Sequence, residues 1–223
     1  TISDHPQLPS GVGTQTRYVI EALLGTGKFE VLSLGGAVKH RNYTPVSPKG
    51  YEDCWKIIPI DGYGDPNMLR SIASQYRPDI LYFMTDPRFY GWLWDMEHEL
   101  RDKFPLVYYH VWDNRPYPTY NKPLYDSNDM IATISKVTSD VVQNVSPGVD
   151  EIYLPHAVDN DIFKPATTAE EKKKEKEFKN NIPGVKDKVV FFWNNRNARR
   201  KQSGTLIYWW KDVLDKVGHD KAV

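Results

Sequence analysis

Three polar residues that could take part in chemistry lie at the ends of apolar runs typical of buried strands. His110 lies at the end of one run, with Asp113 three residues later, and Asp86 follows another run. Open α/β sheets bind ligands beyond the carboxyl ends of their strands, where an imidazole or a carboxylate can orient a hydroxyl group or move a proton. We therefore take His110 and Asp113 as candidate catalytic residues and Asp86 as a candidate ligand contact. Structural alternatives stay open, because a lone histidine often fills a core and Asp86 before Pro87 fits a helix cap.

Two further segments carry residues suited to binding an anion. Gly11 and Gly13 lie between a strand pattern and a helix pattern, where glycine allows a ligand to approach and a helix N-terminus presents free N–H groups. The loop matches neither GxGxxG nor a P-loop, so a tight turn explains it as well. Arg196 and Lys201 follow the apolar run at residues 189–193, and fixed cations there can stabilise a phosphate. The structural alternative for these two is a basic surface loop.

The composition argues against several classes of protein. The 223 residues include 29 Lys and Arg and 29 Asp and Glu, so the formal net charge is zero and gives no support to nucleic-acid binding or a polybasic anchor. No apolar run reaches the roughly 20 residues that span a bilayer, which leaves only peripheral membrane contact open. The single cysteine, Cys54, excludes an intrachain disulfide and a multi-cysteine zinc site. We expect no bound metal and a cytoplasmic location.

Strand-like and helix-like patterns alternate along most of the chain. Continuous apolar strands that alternate with helices are typical of a parallel sheet covered on both faces, so we predict an α/β fold with a Rossmann-like sheet. After a short strand at the start of the chain, the expected strands cover residues 29–34, 55–60, 79–84, 106–111, 129–134 and 151–154. The expected helices cover residues 14–24, 67–76, 89–103 and 135–145. Asp65 is the expected cap of the helix at 67–76.

The character of the sequence changes after residue 165. A run of mixed charge at residues 170–177 fits a solvated helix face. A new buried strand at 189–193 and an amphipathic helix at 205–217 are expected to follow it. We predict a first domain over residues 1–165, a linker over 166–186 and the incomplete start of a second domain over 187–223. We therefore expect the chain to be a fragment of a longer protein.

The stretch over residues 154–165 carries the most specific pattern. It reads LPHAVD and, after three intervening residues, FKP, and it resembles the (I/V)PxGVDxxxF.P signature of GT-B glycosyltransferases of the family 4 type. Ala157 replaces the usual glycine of that signature. Further segments resemble the family in the same order: residues 10–13 its GGVG loop, residues 109–110 its strand-end histidine, and residues 195–201 its GRxxxxKG segment.

The resemblance implies a two-domain enzyme with its active site in the cleft between Rossmann-like domains. Such enzymes move a glycosyl group, with retention and usually without a bound metal, from a nucleotide sugar to a hydroxyl group of a glycan, a lipid or another acceptor. No separate cofactor is implied, because the nucleotide sugar is a substrate. The residues that would contact the donor diphosphate are Arg196, Lys201, Gly11 and Gly13. Trp112 and Tyr117 are candidate acceptor contacts because aromatic rings can stack on sugar rings, and Asp86 is a candidate by its place at the strand ends. The catalytic residues would be His110 and Asp113.

Other functions stay open from the sequence. A related GT-B enzyme, such as a sugar-nucleotide epimerase or a phosphorylase, would share the sheets and the diphosphate-binding cations. A non-enzymatic acceptor-binding half-domain also fits, since the family's pair of donor-binding carboxylates would lie beyond Val223. A nicotinamide-dependent enzyme fits poorly, because GxGxxG is missing and Gly35 and Gly36 stand where an acidic residue would bind ribose.

Overall fold

The computed structural model describes residues 1–185 and 187–223. The chain divides into two compact units, Thr1–Ala157 and Val158–Val223. The first unit thus ends earlier than residue 165, where the sequence pattern places the end of the first domain. The segment predicted as a linker belongs to the second unit.

A parallel sheet of seven strands, all within the fully described first unit, forms the centre of that unit. The strands are β1 (Ile2–Asp4), β2 (Val31–Gly36), β3 (Trp55–Pro59), β4 (Leu81–Thr85), β5 (Leu106–His110), β6 (Met130–Thr133) and β7 (Glu151–Tyr153). Their order is β3-β2-β1-β4-β5-β6-β7, and every neighbouring pair is parallel. This arrangement confirms the predicted α/β fold with a Rossmann-like sheet.

Helices cover the sheet and begin where polar side chains cap them. Those of the first unit are α1 (Gly11–Leu24), α2 (Pro66–Tyr76), α3 (Gly91–Trp94), α4 (Glu97–Arg101), α5 (Lys122–Asp126) and α6 (Lys136–Val145). Ser10, Asp65 and Ser135 each accept a hydrogen bond from a backbone N–H in the first turn of the helix that follows. The predicted cap at Asp65 is therefore confirmed. No helix in the described part of the chain is long and apolar enough to cross a membrane.

The single helix predicted over residues 89–103 is wrong, because the chain breaks there into a 3₁₀ turn at Pro87–Phe89 and the short helices α3 and α4. Trp94 and Met96 are both buried, with 4% and 6% of their surface exposed. Residues two apart on a continuous helix point to nearly opposite sides. The break between α3 and α4 lets both side chains enter the same core.

Aromatic rings hold β4 and β5 together beneath the sheet's carboxyl edge. Phe83 stacks on Tyr108 with ring centroids 5.0 Å apart, and Tyr90 and Trp94 meet these rings edge-on. Such pairs contribute roughly 0.5–1.5 kcal/mol each beyond the area that they bury. The Tyr90 hydroxyl also donates to the carbonyls of Ile2 and Met84, which ties β1 to β4.

Side chains from distant elements fix the last residues of the first unit. The Gln15 side-chain amide on α1 donates to the Ala157 carbonyl at 2.6 Å and accepts from the Ala157 N–H at 3.3 Å. The Tyr109 hydroxyl on β5 donates to the Leu154 carbonyl at 2.7 Å. The segment that follows β7 is therefore bound to both the first helix and the middle of the sheet.

The second unit contains helices α7 (Ala169–Asn181) and α8 (Ser203–Val217). The run of mixed charge lies on α7, as expected of a solvated helix face, and no residue of α7 is buried. Thr168 and Glu171 form a reciprocal capping box at its start. The Thr168 hydroxyl accepts from the Glu171 backbone N–H, and the Glu171 carboxylate accepts from the Thr168 backbone N–H.

The buried strand predicted at residues 189–193 is wrong. Val189 forms only an isolated parallel bridge with Ala222, and Phe192 is 86% exposed. An apolar run indicates burial only where other layers cover both its faces. Among the described residues, the short segment 221–223 is the backbone partner of this run.

A close approach of two backbone segments makes Gly36 irreplaceable at the end of β2. A Cβ atom added there would lie 1.8 Å from the Gly62 carbonyl oxygen, which is backbone and cannot move aside. We expect Gly36→Ala to lower the free energy of unfolding by at least about 2–3 kcal/mol, as overpacking does, in urea denaturation.

Gly11→Ala is the matched control for that experiment. A Cβ atom at Gly11 meets nothing within 4 Å, and alanine is the better helix former, so the stability should stay equal or rise by up to about 1 kcal/mol. Equal losses in the two variants would contradict this account of Gly36.

Candidate functional site

A pocket of about 310 Å³ opens at the carboxyl ends of β4 and β5. Its lining comes from three segments, residues 86–88 after β4, residues 111–114 after β5, and Tyr120. Three residues that the sequence singles out, Asp86, Trp112 and Asp113, lie together in it. Ligand sites of open α/β sheets occur at this edge, so the pocket is the candidate functional site.

Asp86 is a fixed carboxylate on one wall of the pocket. Its Oδ1 accepts from the backbone N–H of Arg88 at 3.0 Å, as a cap does, and the Arg88 guanidinium donates to both carboxylate oxygens at 2.8 and 2.7 Å. Burial acts to raise the pKa of Asp86, but the hydrogen bonds from Arg88 outweigh it and the net pKa is lowered. Asp86 is therefore both a cap and a charged, well-oriented acceptor.

Two aromatic rings form another wall. The rings of Trp112 and Tyr120 meet edge-on with centroids 6.2 Å apart, and Tyr120 is 71% exposed. The Trp112 indole N–H donates to the Asn114 carbonyl at 3.2 Å, which holds the ring in place. Asp113 lies between these residues in the chain with an exposed side chain. The pocket thus offers flat apolar faces beside carboxylates.

Tyr117 does not line this pocket. Its hydroxyl donates to Asp140 of α6 at 3.0 Å, the Arg115 guanidinium donates to the same carboxylate oxygen, and Arg115 lies 5.0 Å from the centre of the Tyr117 ring. This cluster attaches the loop after β5 to α6. The acceptor contact of Tyr117 stays a prediction, because the structure gives its hydroxyl a charged partner in Asp140 and leaves its ring partly exposed.

His110 is buried and does not reach the pocket. Its side chain is fully shielded, with Nδ1 3.0 Å from the Tyr108 hydroxyl and Nε2 2.6 Å from the Tyr125 hydroxyl. Both ring nitrogens are occupied, so no nitrogen is open to a substrate hydroxyl. The expected catalytic contact of His110 is replaced by two tyrosine contacts, and the structure does not bring His110 and Asp113 into one site.

The proton positions around His110 follow from its partners. The Tyr108 hydroxyl donates its only proton to the Thr85 carbonyl at 2.7 Å. Toward His110 it can therefore only accept, and the donor is His110 Nδ1–H. Nε2 then carries the lone pair that accepts from Tyr125. Burial lowers the pKa of His110 to about 3, and burial raises the pKa of Tyr125 to about 12. His110 is therefore neutral and Tyr125 keeps its proton.

The loop after β1 is held by hydrogen bonds to Asp4, the last residue of β1. Asp4 accepts from the Ser10 hydroxyl at 2.6 Å and from the Tyr63 hydroxyl at 2.7 Å. Gly13 is required by packing, since a Cβ atom there would lie 2.8 Å from the His5 carbonyl oxygen, whereas Gly11 faces open space. Diphosphate binding by Gly11 and Gly13 stays a prediction.

The candidate cations of the second unit lie just before α8. Arg196 is exposed, and half-buried Lys201 ends a 3₁₀ turn, Arg199–Lys201, after which α8 begins at Ser203. The buried Ser203 hydroxyl finds no hydrogen-bond partner among the described residues. This combination of cations, free helix N–H groups and an orphaned hydroxyl suits an anion.

Sequence patterns missed Arg88, Tyr108 and Tyr125. Arg88 has a local signal, because an Asp-Pro-Arg turn allows the arginine to fold back onto the aspartate. The tyrosines have none, because the link from His110 to Tyr125 depends on the path of the intervening loop. The described residues contain no group of three or more side chains that could hold a metal ion.

No protein-family model matches the sequence, and no curated protein matches it significantly. A Rossmann-like fold hosts many unrelated activities. The chemistry of the site, and not the fold, therefore indicates the function.

The buried His110 makes the stability depend on pH. Its pKa is about 3 in the folded protein and near 6.5 when unfolded, so the unfolded state binds more protons below about pH 6.5 and stability falls as the pH falls. Between about pH 8 and about pH 5, the titration of His110 should lower the free energy of unfolding by about 2 kcal/mol.

His110→Gln provides the comparison, because glutamine keeps one donor and one acceptor but does not titrate. Urea denaturation at both pH values should show a smaller pH-dependent loss in the variant, by about 2 kcal/mol. The same loss in both proteins would show that His110 is protonated normally in the folded state.

Proposed function

We propose that this chain belongs to a GT-B type hexosyltransferase that moves a sugar from a nucleotide sugar to a hydroxyl group of a glycan or lipid. The first unit binds the acceptor, and the second unit binds the donor diphosphate. The observation that carries the proposal is the pocket at the carboxyl edge of the sheet, which combines aromatic rings with oriented carboxylates.

The chemistry of that pocket fits a sugar ring. A pyranose presents a face of C–H groups that packs on an aromatic ring, and a rim of hydroxyls that donate to carboxylates. Trp112 and Tyr120 provide the rings, while Asp86 and Asp113 provide the acceptors. Since Arg88 holds Asp86 with both oxygens oriented, the carboxylate loses little freedom when a hydroxyl binds it.

The segment before α8 supports a diphosphate site. Bond cleavage in a sugar nucleotide leaves growing negative charge on the diphosphate, and fixed cations and helix N–H groups stabilise it. Arg196 and Lys201 would provide the charge, and the unpartnered hydroxyl of Ser203 would gain an acceptor in a phosphate oxygen.

The proposed transfer needs no group on this chain to take a proton permanently. The bond from the anomeric carbon to the diphosphate oxygen breaks, and the acceptor oxygen bonds to the same face of that carbon. The acceptor proton passes to the departing phosphate oxygen, so the products are the glycosylated acceptor and a nucleoside diphosphate. Asp113 would orient the acceptor hydroxyl at the pocket rim.

Tyr120→Ala tests the sugar pocket. The loss of one exposed stacking ring, at roughly 0.5–1.5 kcal/mol, should weaken binding of a methyl glycoside by about tenfold at most, measured by titration of the protein with a panel of such glycosides. Tyr153→Ala is the control, since Tyr153 is also exposed but lies on β7, outside the pocket. Equal affinity in Tyr120→Ala and the unmodified protein would show that the Tyr120 ring does not contact the sugar.

Arg196→Ala and Lys201→Ala test the diphosphate site. Removal of a cation from a bound phosphate should raise the dissociation constant for nucleotide sugars by at least about tenfold in calorimetric titrations. Lys211→Ala is the control, because Lys211 pairs with Asp215 on α8. Unchanged affinity in both variants would contradict the donor role. Glycoside binding without any nucleotide-sugar binding would favour a non-enzymatic carbohydrate-binding domain.

A further inference from the structure

A continuous chain of buried hydrogen bonds runs beneath the pocket. The Asn121 side-chain amide donates to the Tyr125 hydroxyl at 3.3 Å, and that hydroxyl donates to His110 Nε2 at 2.6 Å. His110 Nδ1–H donates to the Tyr108 hydroxyl at 3.0 Å, which donates to the Thr85 carbonyl at 2.7 Å. Every donor in the chain points the same way, from α5 toward β4.

The chain touches the base of every segment that lines the pocket. Thr85 directly precedes lining residues 86–88, His110 directly precedes lining residues 111–114, and Asn121 directly follows Tyr120. These side-chain bonds add to the backbone pairing of β4 with β5 and to the stacking of Phe83 on Tyr108. The chain of bonds therefore connects the segments that carry the aromatic rings to the segment that carries Asp86.

The chain has one arrangement of protons. A buried polar group that loses its partner keeps the full cost of its desolvation, so each member depends on its neighbours. The aromatic surroundings shield the chain, since Tyr108 and Tyr125 are fully buried. A shift of one pocket segment would break a bond in the interior, where water offers no replacement.

We propose that Tyr125, His110 and Tyr108 are positioning residues that set the separation of the three pocket segments and thereby the affinity for the ligand. His110 acts through this chain and touches no substrate. The proposal rests on the proposed function for the identity of the ligand alone, a sugar ring. The geometric effect is independent of that identity.

Tyr125→Phe tests the proposal, because it removes the hydroxyl between Asn121 and His110 and keeps the ring. We expect the Trp112 indole N–H resonance, assigned by its absence in Trp112→Phe, to shift, and the dissociation constant for methyl glycosides to rise by about tenfold. Tyr109→Phe is the control. Tyr109 lies on β5 beside His110 and also loses a hydroxyl that donates a hydrogen bond, but its partner is the Leu154 carbonyl, which does not line the pocket.

The two readouts separate this proposal from the proposed function. An unchanged Trp112 resonance in folded Tyr125→Phe, or an equal shift in Tyr109→Phe, would overturn the positioning role whatever the ligand. If no methyl glycoside binds the unmodified protein, the sugar pocket fails, and the Trp112 resonance still decides the positioning role.

Variants of His110 provide a second test if Tyr125→Phe folds poorly. Glutamine keeps a donor and an acceptor, whereas leucine keeps only the approximate volume. His110→Gln should retain the Trp112 resonance and glycoside affinity better than His110→Leu does. Equal effects of the two substitutions would mean that His110 merely fills space, and would overturn the proposal.

Discussion

The pairing of β1 with β2 on one side and with β4 on the other is the constraint on which the site depends. The chain winds from β1 through β2 to β3 and then returns across the sheet to β4. The connections that leave β1 and β4 therefore run to opposite faces of the sheet, and a crevice opens between them at the carboxyl edge. Asp4 closes the β1 side by holding Ser10 and Tyr63. The edge beyond β4 and β5 is where the pocket forms.

Buried tyrosines connect this topology to the geometry of the pocket. Tyr90 ties β1 to β4 through two backbone carbonyls, and Tyr108 ties β5 to β4 through one. Each ring adds buried apolar area, and each hydroxyl adds a hydrogen bond, which is directional in a way that apolar contacts are not. A core of leucines would hold the strands equally close, but it would place the loops above them less exactly.

The sequence predicts the fold better than the site. Apolar runs identify the parallel strands, and Asp65 and Ser135 mark helix starts, because both signals are local. The rule that ligands bind at carboxyl edges singles out Asp86 and Asp113, and these two residues line one pocket with Trp112. The burial of His110 is not predictable in this way, because it depends on Tyr125 across a loop. The exposure of residues 189–193 could not be predicted from the sequence either, because an apolar run does not show which other elements cover it.

The pair of hydrogen bonds between Gln15 and Ala157 has a consequence for folding during synthesis on the ribosome. The two residues are 142 positions apart, so a ribosome adding about 5–20 residues per second needs roughly 7–30 s to supply the partner of Gln15. During that interval α1 can pack on the early strands, but β7 and the segment after it have not been made. During synthesis the chain therefore passes through a stage in which β6 has no β7 beside it, and the Gln15–Ala157 bonds can form only after that stage.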